Sequence, residues 1–128
     1  MCGRYAAATS AADWVEEFEV SDTPERWLPP DYNVCPGKDV LIISGAPREM
    51  SFARWGLVPS WAKDPDSGSR LANARSETVA EKPSYRAAYS RRRCLIPADG
   101  YYEWYRPESG RKQPFYMSPL DGGPLAFA

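Results

Sequence analysis

Apolar residues repeat at helical spacing near the amino end, at Trp14, Val15 and Phe18, with Ser10 and Asp13 forming a capping box ahead of them. That spacing predicts a short helix over 11–19, closed by the Ser21-Asp22-Thr23-Pro24 turn. Pro29-Pro30 and Pro36-Gly37 mark a loop leading into Val40-Leu41-Ile42-Ile43, a short continuous apolar run of the kind buried strands carry. Phe52 to Val58 reads as a second strand, broken by Pro59, and 63–70 as an exposed loop. Glu77 to Ser90 suits one or two short helices interrupted at Pro83. Further strands are predicted at Cys94-Leu95-Ile96 and, after an Asp99-Gly100 turn, at Tyr101 to Tyr105. Pro107 to Lys112 is a polar hairpin turn, from which Pro114-Phe115-Tyr116-Met117 returns antiparallel. Pro124 to Ala128 reads as a strand entering the core.

Composition sharpens this picture. Thirteen Pro and nine Gly exclude a long-helix bundle and favour short strands joined by many turns. With 43% hydrophobic residues in 128, a single domain with its own core is expected, an α+β fold spanning 1–128. A domain seldom closes on bare apolar residues, so its carboxyl-terminal part is expected to be incomplete. No apolar run reaches the roughly 18 residues of a membrane span, and Met1-Cys2-Gly3-Arg4 carries no apolar leader. The expected compartment is the cytosol. No internal repeat or low-complexity segment is present.

The net charge of −1 hides an asymmetry. Residues 1–53 carry four Lys/Arg against nine Asp/Glu, whereas 54–112 carry twelve against seven. A basic middle within a near-neutral chain can form a local anion-binding face, or merely a solvated mixed surface; charge alone does not decide.

Three cysteines without a CxxC, and no histidine, offer no usual zinc site and no Ser-His-Asp or Cys-His engine. No metal or organic cofactor is expected. Cys35 and Cys94 read as buried structural thiols. Cys2 differs. Removal of Met1 ahead of a small residue leaves a free α-amine, of ordinary pKa about 7.7–8.0, beside a thiol of about 8.5. Such an aminothiol condenses with an aldehyde to an imine that the thiol closes into a thiazolidine. It can equally attack an amide, with its own amine as base.

Five dense segments follow one another: Cys2-Gly3-Arg4-Tyr5, Tyr32-Asn33-Val34-Cys35-Pro36-Gly37, Trp55-Gly56-Leu57-Val58-Pro59-Ser60-Trp61, Asn73-Ala74-Arg75-Ser76-Glu77-Thr78 and Ala98-Asp99-Gly100-Tyr101-Tyr102-Glu103-Trp104. In order and wording, from Met1 to Ala128, they resemble the SRAP family, the SOS response-associated peptidases or abasic-site processing proteins. The resemblance implies mostly antiparallel strands in a curved, barrel-like arrangement with short flanking helices. It also implies a DNA-repair protein that crosslinks through Cys2 to abasic sites in single-stranded DNA. It assigns Asn73 to orienting the Cys2 amine, where a cap for the following helix is the plainer reading. Glu103 corresponds to the family's active-site carboxylate, where an outward side chain on a surface strand is the plainer reading.

Arg4 and Arg75 match phosphate-binding positions. Trp55, Pro59 and Trp61, with Pro36, match an apolar wall against bases beside the lesion, although core packing also explains a Trp. Arg91-Arg92-Arg93 reads as a solvated helix end. The family's later His-x-Arg-x-Pro segment has no counterpart here. A monomer, associated with the nucleoid when on damaged DNA, is expected. The family name reflects a proposed autoproteolytic or peptidase activity, but with Met1 alone before Cys2 ordinary aminopeptidase processing suffices. Two other functions fit the residues: an N-terminal-nucleophile hydrolase acting on amides, and a non-catalytic single-strand binding module.

Overall fold

A computed structural model describes residues 3–128. Its strands are β1 (Tyr5–Ala7), β2 (Asp31–Val34), β3 (Asp39–Ser44), β4 (Glu49–Arg54), β5 (Ile96–Ala98), β6 (Gly100–Tyr105), β7 (Gln113–Met117) and β8 (Leu125–Phe127). The helices are α1 (Ala11–Glu17), α2 (Arg86–Arg91) and a 3₁₀ helix over Pro65–Leu71. The fold is α+β with antiparallel sheets, as the pattern predicts. Among the described residues the strands form three sheets rather than one closed barrel: β2-β1-β6-β7, the β3-β4 hairpin, and β5-β8. Reciprocal backbone bonds between Ile43 and Leu95, both 2.8 Å, join the hairpin to the chain entering β5.

The period-2 geometry of β3 organises the interior. Val40 and Ile42 belong with Tyr5, Val34 and Ala98 on one face. Leu41 and Ile43 belong with Trp14 and Met50 on the other. With both faces covered, the strand reads as a continuous apolar run. α1 closes the second core. The Ser10 hydroxyl accepts from the Asp13 N–H at 3.2 Å, and Trp14 is buried with Val15 and Phe18 packed beside it. The helix stops at Glu17, two residues earlier than expected, and Glu19 takes a left-handed φ of 48°.

Several boundaries depart from the pattern, each for a tertiary reason. β4 begins at Glu49 because Met50 is a core residue, and it ends at Arg54 rather than Val58. There Gly56 turns the chain at φ 128°, against Gly68. The expected loop at 63–70 winds into the 3₁₀ helix, with Asp64 accepting from the Asp66 N–H at 2.9 Å and Pro65 in its first turn. The 77–90 segment is helical only from Arg86, beyond Pro83. β5 lies two residues later than the Cys94–Ile96 strand expected.

Asp99-Gly100 is not a hairpin turn, because β5 pairs with β8 while β6 pairs with β1 and β7. Instead the Asp99 carboxylate accepts from the Ala8 and Thr9 N–H groups and from the Thr9 hydroxyl, anchoring the chain after β1. The Pro107–Lys112 turn, the return of β7 and the entry of β8 into the core all occur as predicted. Phe127 meets Tyr5 and Tyr101 edge-on at 5.6 and 6.1 Å.

Candidate functional site

Sequence-distant candidates meet around the start of β1. Tyr5 lies opposite Tyr101 in β6, and the Tyr102 N–H donates to the Arg4 carbonyl at 2.9 Å. Arg4, just ahead of β1, is therefore tied to Tyr102, whose neighbour Glu103 points to the other face of the sheet by strand alternation. Glu103 is half-exposed, opposite Phe115 of β7. Arg4 is aimed by Asn33, whose side-chain oxygen accepts from its Nη1 at 2.9 Å. Asn33 is set in turn by Asp31, which accepts from the Asn33 N–H at 2.8 Å and pairs with Lys38 at 2.6 Å. The hydrogen bond from Lys38 is the main reason the Asp31 carboxyl sits below its ordinary 3.8.

On the other side of Tyr5, the Trp55 ring stands edge-on at 5.3 Å. Its indole N–H donates to the Ala72 carbonyl at 3.0 Å, beside Asn73. The Cys35–Lys38 turn joins the same point: the Gly37 N–H donates to the Trp55 carbonyl at 2.8 Å, and the Trp55 N–H to the Lys38 carbonyl at 2.9 Å. Arg54 reinforces the turn through the Gly37 carbonyl at 3.1 Å and reaches Asp66 of the 3₁₀ helix at 2.9 Å. Trp55 and Asn73 both line a cleft of about 590 Å³. Arg4, Trp55, the turn that carries Pro36 and the backbone beside Asn73 are thus linked around Tyr5 by ring contact and backbone bonds, with Glu103 next to Tyr102 on β6.

The remaining candidates are placed differently. Trp61 is 61% exposed on a turn beyond this region, and Arg75 is exposed just after Asn73. Pro59 is buried and presents no open ring face for a base. Trp55 is half-buried and hydrogen-bonded. It is a core-edge residue as well as a cleft-lining one. Asn73 caps no regular helix, since turns follow it and α2 begins only at Arg86.

Cys2 lies outside the described residues. Cys35 and Cys94 are free thiols but half-buried rather than buried, and burial raises the Cys94 thiol above its ordinary 9.0. α2 ends within the Arg91–Arg93 cluster, and Arg93 lies over the Tyr89 ring at 4.8 Å. Among the described residues, no three His, Cys, Asp or Glu side chains group as metal ligands, and no helix is long and apolar enough to cross a membrane. Asn33 and Tyr85 join the region without having been assigned a part from the sequence. For Asn33 the available signal was its place between Asp31 and the Cys-Pro-Gly turn.

The SOS response associated peptidase (SRAP) family model matches residues 1–128. Over its whole length the chain is 40% identical to "Abasic site processing protein YoqW" of Bacillus subtilis and 33% identical to "Abasic site processing protein YedK" of Escherichia coli. It spans 58% of each of those relatives. It is 32% identical to "Abasic site processing protein HMCES" of Xenopus tropicalis, with 91% of the chain aligned to 42% of that protein. A crystal structure of a Bacteroides thetaiotaomicron protein superposes with a TM-score of 0.82 at 26% identity, covering 98% of this chain and 57% of the other. One from Bordetella bronchiseptica gives 0.76 at 28%, covering 98% and 61%.

Proposed function

Given that the chain belongs to the SRAP family, we propose that it processes abasic sites in DNA, trapping them covalently through Cys2 in single-stranded DNA. What supports this reading is the set of contacts around β1. Arg4, two residues after Cys2 in sequence, is bonded through its carbonyl to Tyr102, the neighbour of Glu103, and precedes Tyr5, which contacts Trp55, whose indole holds the backbone next to Asn73. Relatives named abasic site processing proteins aligning to the whole chain support it further.

An abasic sugar in its open form is an aldehyde. The Cys2 amine adds to its carbonyl carbon, and the carbinolamine loses its hydroxyl as water to give an imine. The thiol sulfur then adds to the imine carbon while its proton passes to nitrogen, closing a thiazolidine; one water is lost overall. Glu103 supplies the proton that lets the hydroxyl leave and takes protons back. Asn73 orients the amine through a neutral amide, adding no charge that would shift its pKa. Arg4 holds a backbone phosphate beside the lesion, and Arg75 a second. Trp61 offers an exposed stacking face, with Pro36 and the edge of Trp55 lining the approach. Pro59, being buried, takes no stacking part in this reading. In this reading 1–128 is the amino-terminal part of one SRAP domain.

Incubation with a single-stranded oligonucleotide bearing one abasic site, followed by denaturing electrophoresis, tests the proposal. A heat-stable adduct with the parent and none with Cys2→Ser is expected. A stable adduct at parental yield from Cys2→Ser would overturn the assignment. Binding that survives Cys2→Ser, with no covalent product from either protein, would favour the non-catalytic binding module. Acylation by amides with indifference to DNA would favour the hydrolase.

A further inference from the structure

Three successive carbonyls approaching the site are each held by a donor from elsewhere. The Leu57 N–H donates to the Leu71 carbonyl at 3.2 Å, the Trp55 indole to Ala72 at 3.0 Å, and the Tyr85 hydroxyl to Asn73 at 2.9 Å. The last of these bonds is unusual for its donor's position. Tyr85 occupies the N-cap of α2, where a short oxygen-bearing side chain would satisfy the first-turn N–H groups. It makes no capping bond, and its hydroxyl is spent on Asn73 instead. Tyr85, Asn73 and Trp55 line the same cleft. Burial raises the phenol above its ordinary 10.0, so it remains a donor at neutral pH.

From this geometry we infer that Tyr85 is a positioning residue for Asn73, fixing the backbone from which the Asn73 amide is presented to the reacting amine. The inference rests on the abasic-site reading for its kinetic consequence, but not for the contact itself. The polypeptide at 72–73 has no ladder of its own, since it lies between the 3₁₀ helix and a run of turns. These three donors hold it from outside, and the Tyr85 hydroxyl is the one that can be deleted without removing a ring or a backbone group.

Tyr85→Phe tests this on the full chain. Adduct formation with abasic single-stranded DNA should slow about tenfold or more, within the roughly 10²-fold that a misplaced group can cost. Affinity for the same strand carrying a non-reactive tetrahydrofuran lesion, and the melting temperature, should stay at parental values. Asn73→Ala combined with Tyr85→Phe should be no slower than Asn73→Ala alone, because the hydroxyl acts only through Asn73. In proton–nitrogen NMR spectra, the Asn73 side-chain amide signals should move in Tyr85→Phe. A parental rate for Tyr85→Phe, multiplying losses in the double variant, or unmoved Asn73 signals would overturn the inference. If the parent itself makes no adduct, the abasic-site reading fails, and the Asn73 signals alone decide whether Tyr85 positions that residue.

Discussion

Glu103 stands half-exposed on β6, next to Tyr102, whose N–H bonds the Arg4 carbonyl, and the proposed function gives it the proton transfers. If it moves protons, Glu103→Gln should slow adduct formation by roughly 10²–10⁴-fold while leaving DNA affinity near parental, measured by single-turnover time courses beside equilibrium binding. A parental rate would make the carboxylate structural. On β2, Asp31 offers a test of how Arg4 is aimed. Its folded pKa is lowered chiefly by Lys38, so that contribution to stability is present above the ordinary carboxylate range and lost as pH falls through the lowered value. The Lys38 ammonium is raised above 10.5 by the same bond, so its share is lost only as pH climbs past that raised value. An NMR titration should place the Asp31 midpoint below 3.8, and Lys38→Met should move it upward. No movement would mean the pair is not formed in solution. Arg4, Asn73 and Glu103 were legible in the sequence because dense motifs surround them. Asn33 and Tyr85 were not, because each acts by a hydrogen bond across the fold that no local pattern encodes.

Elements were legible where one residue pattern sufficed and hidden where pairing decided. The apolar run of β3 and the capped, periodic α1 announce themselves. β1 is three small or aromatic residues, and β2 buries only Val34. Both were missed because partners on each side, not hydrophobicity, make β1 a strand. Asp99 has the residue type of a hairpin turn yet serves as an anchor for Ala8 and Thr9, a use that only the sheet topology reveals. Where Trp55 leaves β4, the chain depends on two glycines in contact. A Cβ on Gly56 would stand 2.5 Å from the Gly68 carbonyl oxygen, at a φ of 128° that side chains rarely adopt. Gly56→Ala should cost about 1–3 kcal/mol, seen as a lower melting temperature, and should shift Trp emission as the Trp55–Ala72 bond loosens. An unchanged melting curve would show that this junction yields freely.

Across the whole molecule, charge is divided unevenly. The excess of basic residues lies in 54–112, the stretch that carries Trp61, Asn73, Arg75 and Glu103. If the proposed phosphate contacts are made from there and from Arg4, they release counterions, and affinity for DNA should fall as salt rises. Single strands should bind more tightly than intact duplex at matched salt, because a face such as Trp61 needs an unpaired base to stack on. Equal binding of both would remove the stacking role. Whether Cys2 traps the sugar is read plainly by intact mass. After incubation with abasic single-stranded DNA, a species with the mass of the Met1-processed protein plus the oligonucleotide minus one water is expected, its crosslink mapping to Cys2. No covalent species, or a crosslink mapping to a lysine, would contradict it.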